Sequence, residues 1–233
     1  MPELVVLTEQ LLAPVPGGTG RYTRELLTAM ALCAPADWTV TGVTAWHRNT
    51  AAAAVPGIDG PRKLPLPRRA LSAAWERGFN LWPGGDAVHA LTPLAPPMPR
   101  RGCSLVVTVH DTVPFTHPDT LTRRGASWHR TMITRATQNA SAVVVPTAAV
   151  ATELSHYASG PARVHVVGHG VPDVVMQLPA EADRIAERLR LPNRYVLAVG
   201  TIEPRKGLDV LVEAMASATA PDLPLVIAGP PGW

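Results

Sequence analysis

The chain has 233 residues, 46% of them hydrophobic and 17% charged, with a formal net charge of +3. That apolar content suffices for a packed core and excludes wholesale disorder; the mild charge suits an anionic small molecule or a membrane surface and is too weak to argue for nucleic acid. No stretch approaches the ~20 apolar residues of a membrane span, and MPELVVLTEQ lacks the pattern of a secretory leader, so a cytoplasmic protein is expected. Cys33 and Cys103 form neither a CxxC pair nor a zinc spacing, and both are read as reduced bystanders.

In chain order, the apolar run at 4–7 reads as a buried strand, followed by the glycine-rich loop PVPGGTG. A helix is predicted from about residue 21, with Tyr22, Leu26, Met30 and Cys33 on its core face. A second strand is predicted at 38–46, loop over 51–67, and an amphipathic helix over 71–81. Strands follow at 86–91 and 105–109, then a helix over 121–139 and a strand at 142–145. Thr147 is placed as the N-cap of the next helix, and a strand at 164–167 leads to the turn GHGVPD, with no helix directly after it. Beyond it come a helix over 179–191, a strand at 195–199, a helix over 204–216 and a strand at 225–228. Such alternation predicts an α/β protein with a doubly wound parallel sheet, in which ligands bind beyond the carboxyl ends of the strands. Two domains are expected, 1–172 and 173–233.

The residues with chemistry cluster at those strand ends. In YVLAVGTIEPRKGLDVL a buried strand leads to a helix whose first turn holds Pro204, Arg205, Lys206 and Gly207. Two cations beside a helix N-terminus oppose its dipole unless an anion neutralises them. The pattern therefore points to phosphate, with a solvated basic turn as the plain alternative. Gly17 and Gly18 let a backbone approach a ligand closely, or they merely form a tight loop. His110 and Asp111 end a buried strand; each is either a site residue or a satisfied structural one. His117 and Asp119 follow, but no recognisable metal-ligand spacing appears, so no metal is expected. The basic stretches at 62–77 and 123–135 are read as solvated faces, with peripheral contact to a membrane as the alternative.

The segment VGTIEPRKGLDVLVEA, the Gly-Gly loop, the strand-end pair in VVTVHDTVPF and the step VVVPTAAVATEL resemble glycosyltransferase family 4. The resemblance implies the GT-B fold: an acceptor-side N-terminal domain and a second, Rossmann-like, nucleotide-sugar-binding domain. It further implies that the second domain is incomplete here, its ribose-holding carboxylate lying beyond Trp233, so that these residues alone lack turnover. By resemblance, Arg205, Lys206, Gly17 and Gly18 hold the donor diphosphate and His110 lies against the donor sugar. Asp111, Thr147, Thr201 and Glu203 are placed in the substrate cleft. The implied reaction moves a hexose from a GDP- or UDP-sugar to a glycan, lipid-linked or small-molecule acceptor. It retains anomeric configuration and needs no metal or cofactor. A same-fold epimerase or phosphorylase, or a non-catalytic remnant that binds sugar or a partner, are the alternatives.

Overall fold

The computed structural model describes residues 1–231, with all side chains in that range except those of Asp173 and Arg205. The chain divides into two compact units, Met1–Gly170 and Val171–Trp233. The first contains β1 (Glu3–Leu7), α1 (Gly17–Cys33), β2 (Thr39–Trp46), β3 (Asp59–Pro67), α2 (Arg68–Glu76), β4 (Ala87–Ala90) and β5 (Ser104–Thr108). It continues with α3 (Val113–Thr116), α4 (Arg123–Asn139), β6 (Ala142–Val145), α5 (Ala148–Tyr157) and β7 (Arg163–Val166). The seven strands form one parallel sheet in the order β3-β2-β1-β4-β5-β6-β7.

Alternation along the strands builds two cores. Val5, Leu7, Val88, Ala90, Val107, Val143 and Val145 point to one face, where Leu71 and Trp75 of α2, Met132 and Ile133 of α4 and Leu154 of α5 cover them. Trp75 is fully buried, and its indole N–H donates to the Leu81 carbonyl at 3.1 Å. Val6 points to the other face and packs with Leu27 of α1, Leu11, Val40 and Leu91. Helices on both faces explain why these strands read as nearly continuous apolar runs. The strand order reverses direction between β1 and β4, and the crevice above the carboxyl ends at that point is where doubly wound sheets take ligands.

The second unit holds α6 (Asp173–Met176), α7 (Ala182–Arg188), β8 (Val196–Val199), α8 (Leu208–Met215) and β9 (Leu225–Ala228). β8 and β9 pair in parallel. Leu197, Val199, Val210, Val212 and Ile227 of this unit are exposed.

Five expectations need correction. The glycines placed in a loop open α1, which begins at Gly17: Gly17 itself is left-handed (φ +59°), Gly18 and Gly20 lie in the first turns, and the Pro16 carbonyl accepts the Gly20 N–H at 2.9 Å. Residues 59–67, expected as loop, form β3. Its prolines are tolerated because it is an edge strand, and its register with β2 is irregular. The helix expected over 204–216 is broken: Pro204–Lys206 is a 3₁₀ turn, and Gly207, at φ +59°, separates it from α8. A four-residue helix, α6, begins at the last residue of GHGVPD, and α7 is shorter than the predicted 179–191.

Candidate active site

His110 lies just past the carboxyl end of β5, half-buried. Its Nε2 is 2.9 Å from the Leu91 carbonyl oxygen, beyond the end of β4. A carbonyl can only accept, so Nε2 carries the proton, and a neutral His110 keeps its lone pair on Nδ1. That nitrogen lies 3.4 Å from Nε2 of His169, which follows β7. Tyr22, from the first turns of α1, sets its ring edge-on to His110 with centroids 4.9 Å apart and tilts against His169 at 4.8 Å. Three rings from α1 and from the ends of β5 and β7 thus meet above the sheet.

The electrostatics favour an uncharged His110 and an un-ionised Tyr22. Burial lowers the His110 pKa below the usual histidine value, as does the neighbouring His169, while the bond to Leu91 and the charge of Asp111 oppose the shift. Burial raises the Tyr22 pKa, and a hydrogen bond with the Thr108 side chain works against that shift. Among the strands, the Nε2 of His89 lies 2.9 Å from Thr108 Oγ1. His89 is pulled down to about 4, chiefly by burial and secondarily by His110.

The other predicted site residues are dispersed. Asp111 is exposed and accepts the Val113 N–H at 3.1 Å, closing a local turn. Thr147 caps α5 by accepting the Val150 N–H at 3.1 Å. Gly17 and Gly18 occupy the first turn of α1, and a Cβ at either would meet nothing within 4 Å. In the second unit Thr201 and Glu203 follow β8, and the aliphatic stem of Lys206 runs along Gly200. The predicted role of the Arg205 side chain lies outside the described residues.

Tyr22, read from the sequence only as core, and His169, read only as turn, are the site residues that sequence reasoning missed. The signal for His89 was present: a histidine within the apolar strand AVHA requires a partner. The basic stretches are largely structural. Arg124 makes a paired salt bridge with Glu76, Arg135 donates to the carbonyls of Trp75 and Glu76, and Arg130 donates to that of Pro114. Leu71 and Trp75 of α2 are buried in the core. Among the described residues no helix is long and apolar enough to cross a membrane, and no three metal-binding side chains converge.

A doubly wound parallel sheet with polar rings gathered beyond its strand ends is the arrangement in which α/β proteins commonly take ligands. The profile of Glycosyltransferase Family 4 matches residues 16–174, and the chain belongs to that family. It is 36% identical over 107 residues to a D-inositol 3-phosphate glycosyltransferase of Jonesia denitrificans, an alignment covering 41% of this chain and 25% of that protein. The protein of the same name from Salinispora tropica is 40% identical over 92 residues, covering 34% and 19%. Among solved structures, the chain resembles sucrose-phosphate synthase from Thermosynechococcus elongatus (TM-score 0.63, 17% identity, covering 98% of this chain and 62% of that one). It also resembles Anabaena HepE in complex with UDP and glucose (TM-score 0.63, 14% identity, covering 99% and 62%). These likenesses are of fold, the GT-B fold, and the chain spans under two thirds of the length of these relatives.

Proposed function

We propose that this chain carries sugar-transfer machinery moving a hexose from a UDP- or GDP-sugar to a hydroxyl acceptor with retention of configuration. The observation that carries the reading is His110. It is a neutral imidazole with its proton committed to Leu91, held at the switch point within the segment that matches the family. Such a ring can accept a hydrogen bond from a sugar hydroxyl at Nδ1, in place of the long contact with His169 at 3.4 Å, without adding charge beside a phosphate. Arg205 and Lys206, with the backbone of Gly17 and Gly18, are assigned to the donor diphosphate. Charge on the leaving phosphate would then be met by fixed cations and N–H groups, so the step needs no divalent ion. Asp111, Thr147, Thr201 and Glu203 are assigned to the walls of the substrate site. The leaving phosphate itself would take the acceptor proton, which leaves no enzymic nucleophile to find.

The test is transfer from UDP-glucose and GDP-mannose to a panel of hydroxyl acceptors that includes D-inositol 3-phosphate, using the longest form the gene encodes. Product with the anomeric configuration of the donor is expected, with His110→Ala losing about 10²-fold or more in rate, on the scale of a lost preorganised contact. An inverted product, or full activity in His110→Ala, refutes the assignment.

A further inference from the structure

His110 and His169 stand 59 residues apart in the chain and are brought together by the strand order. One follows β5 and the other follows β7, with β6 between them in the sheet. Nδ1 of His110 and Nε2 of His169 face each other at 3.4 Å. That gap is long for a hydrogen bond, since an N–H donor usually sits about 2.7–3.2 Å from its acceptor. It is the separation of two ligands on one tetrahedral ion: metal–nitrogen distances of about 2.0–2.1 Å place the nitrogens about 3.3–3.4 Å apart. The same construction sets the ring centres about 5.2–5.3 Å apart. They stand 5.4 Å apart, with their planes at 60°. The proton inventory agrees. Nε2–H of His110 is committed to the Leu91 carbonyl at 2.9 Å, which fixes the lone pair on Nδ1. A ligating histidine characteristically gives its other N–H to a carbonyl or carboxylate in this way. His169 is exposed, so water can take its Nδ1–H and leave Nε2 to the ion. On either side of it, a Cβ at Gly168 or Gly170 would meet nothing within 4 Å, which leaves room for the waters that complete a coordination shell.

We propose that His110 and His169 form a two-nitrogen chelating site for Zn²⁺, and that the bound ion blocks transfer by occupying the lone pair His110 offers to the sugar. The ion is an inhibitor here and not a cofactor. Two imidazole lone pairs replace two of its waters, and the remaining positions stay with water. The blocking rests on the transferase reading; the chelation does not. Two imidazoles suit zinc, copper or nickel, whereas Mg²⁺ takes oxygen ligands and gives up its waters reluctantly. A site of this kind therefore sets zinc against the sugar at one nitrogen while leaving magnesium without effect.

The experiment is a Zn²⁺ titration of the 233-residue chain followed by long-range ¹H–¹⁵N NMR of its eight histidines, with the pair assigned by His110→Ala and His169→Ala. His110 Nδ1 and His169 Nε2 should shift together, at lower zinc than any other histidine. In His169→Ala the calorimetric affinity for Zn²⁺ should fall about 10–100-fold or more, since even the outer partner of a ligating histidine is worth that much. His156→Ala, on α5, should leave it unchanged. Other histidines shifting first, or unchanged affinity in His169→Ala, overturns the site. An equal response to Mg²⁺ overturns its chemistry. In transfer from UDP-glucose by the longest form the gene encodes, zinc should inhibit and excess chelator should restore the rate. His169→Ala should need about 10-fold or more zinc for half-inhibition, whatever its basal rate. Full rate at zinc that saturates the pair overturns the blocking. Absence of turnover in every form rejects the transferase reading and the blocking with it, while the titration still decides the site.

Discussion

The three glycines that open α1 have different reasons to be there, and alanine substitution separates them. Gly17 has φ +59°, a region that costs a side chain about 1–2 kcal/mol. A Cβ on Gly20 would overlap Pro16 Cβ, forcing the approach to the helix to move, with an overpacking cost of about 1–3 kcal/mol. Gly18 has neither constraint: no positive φ and no atom within 4 Å of its Cβ position. Alanine there should stabilise the helix by up to about 0.5–1 kcal/mol. For a unit of this size about 1 kcal/mol corresponds to roughly 2–4 °C. Calorimetric scans should thus show Tm falling about 2–8 °C for Gly17→Ala and about 2–12 °C for Gly20→Ala, and rising about 1–4 °C for Gly18→Ala. If Gly18 is kept for close backbone approach to a phosphate, the more stable variant should bind UDP about 10–150-fold less tightly, the value of a charge-assisted hydrogen bond. Gly18→Ala with lowered Tm refutes the packing argument; unchanged UDP affinity refutes the phosphate role.

Arg205→Ala and Lys206→Ala should each weaken UDP or GDP binding by about 1.5–3 kcal/mol in calorimetric titration; unchanged affinity in both removes the diphosphate from this turn. Transfer should persist in excess chelator, whereas abolition with rescue by Mg²⁺ or Mn²⁺ would overturn the metal-free reading. Burial lowers the pKa of His89, His110 and His129 in the folded chain. Below the ordinary value of 6.5 the unfolded chain therefore binds more protons, and stability should fall as pH drops from 6.5 towards 4. At about 1.36 kcal/mol per pH unit the His89 share is at most about 3 kcal/mol, read as urea midpoints at pH 7 and 4.5; His89→Gln should flatten that slope. Trp75→Ala should cost about 3–5 kcal/mol by denaturant unfolding, since it empties the centre of the larger core.

Much of the fold was legible because period and chemistry agreed. β1, β5 and β6 are short apolar runs bounded by turn residues, and Thr147 caps α5 as a threonine before a helical run should. Misreadings came where local propensity was overruled. Glycine weighs against helix, yet Pro16 starts α1 at Gly17. Proline weighs against strand, yet β2 recruits 59–67 at the sheet edge, where missing N–H groups cost little. The motif 204–207 was recognised, but a single left-handed glycine decides whether its cations belong to an α-helix or precede one. The candidate site was only partly visible. His110 announced itself as a polar residue ending a buried strand. Its neighbours Tyr22 and His169 are 88 and 59 residues away and meet it only through the strand order. No periodicity within one segment encodes that meeting.

The proline-bearing β3 has a consequence for life in a crowded solution. A parallel sheet of this length invites a stray strand to add to its open margin. Pro61, Pro65 and Pro67 offer no N–H to a further strand. An incoming chain would find an interrupted row of donors, so growth by strand addition stalls at this side. Replacing these prolines with valine would make a flatter, fully templating margin. The composition that disguised β3 as a loop thus doubles as a guard against polymerisation.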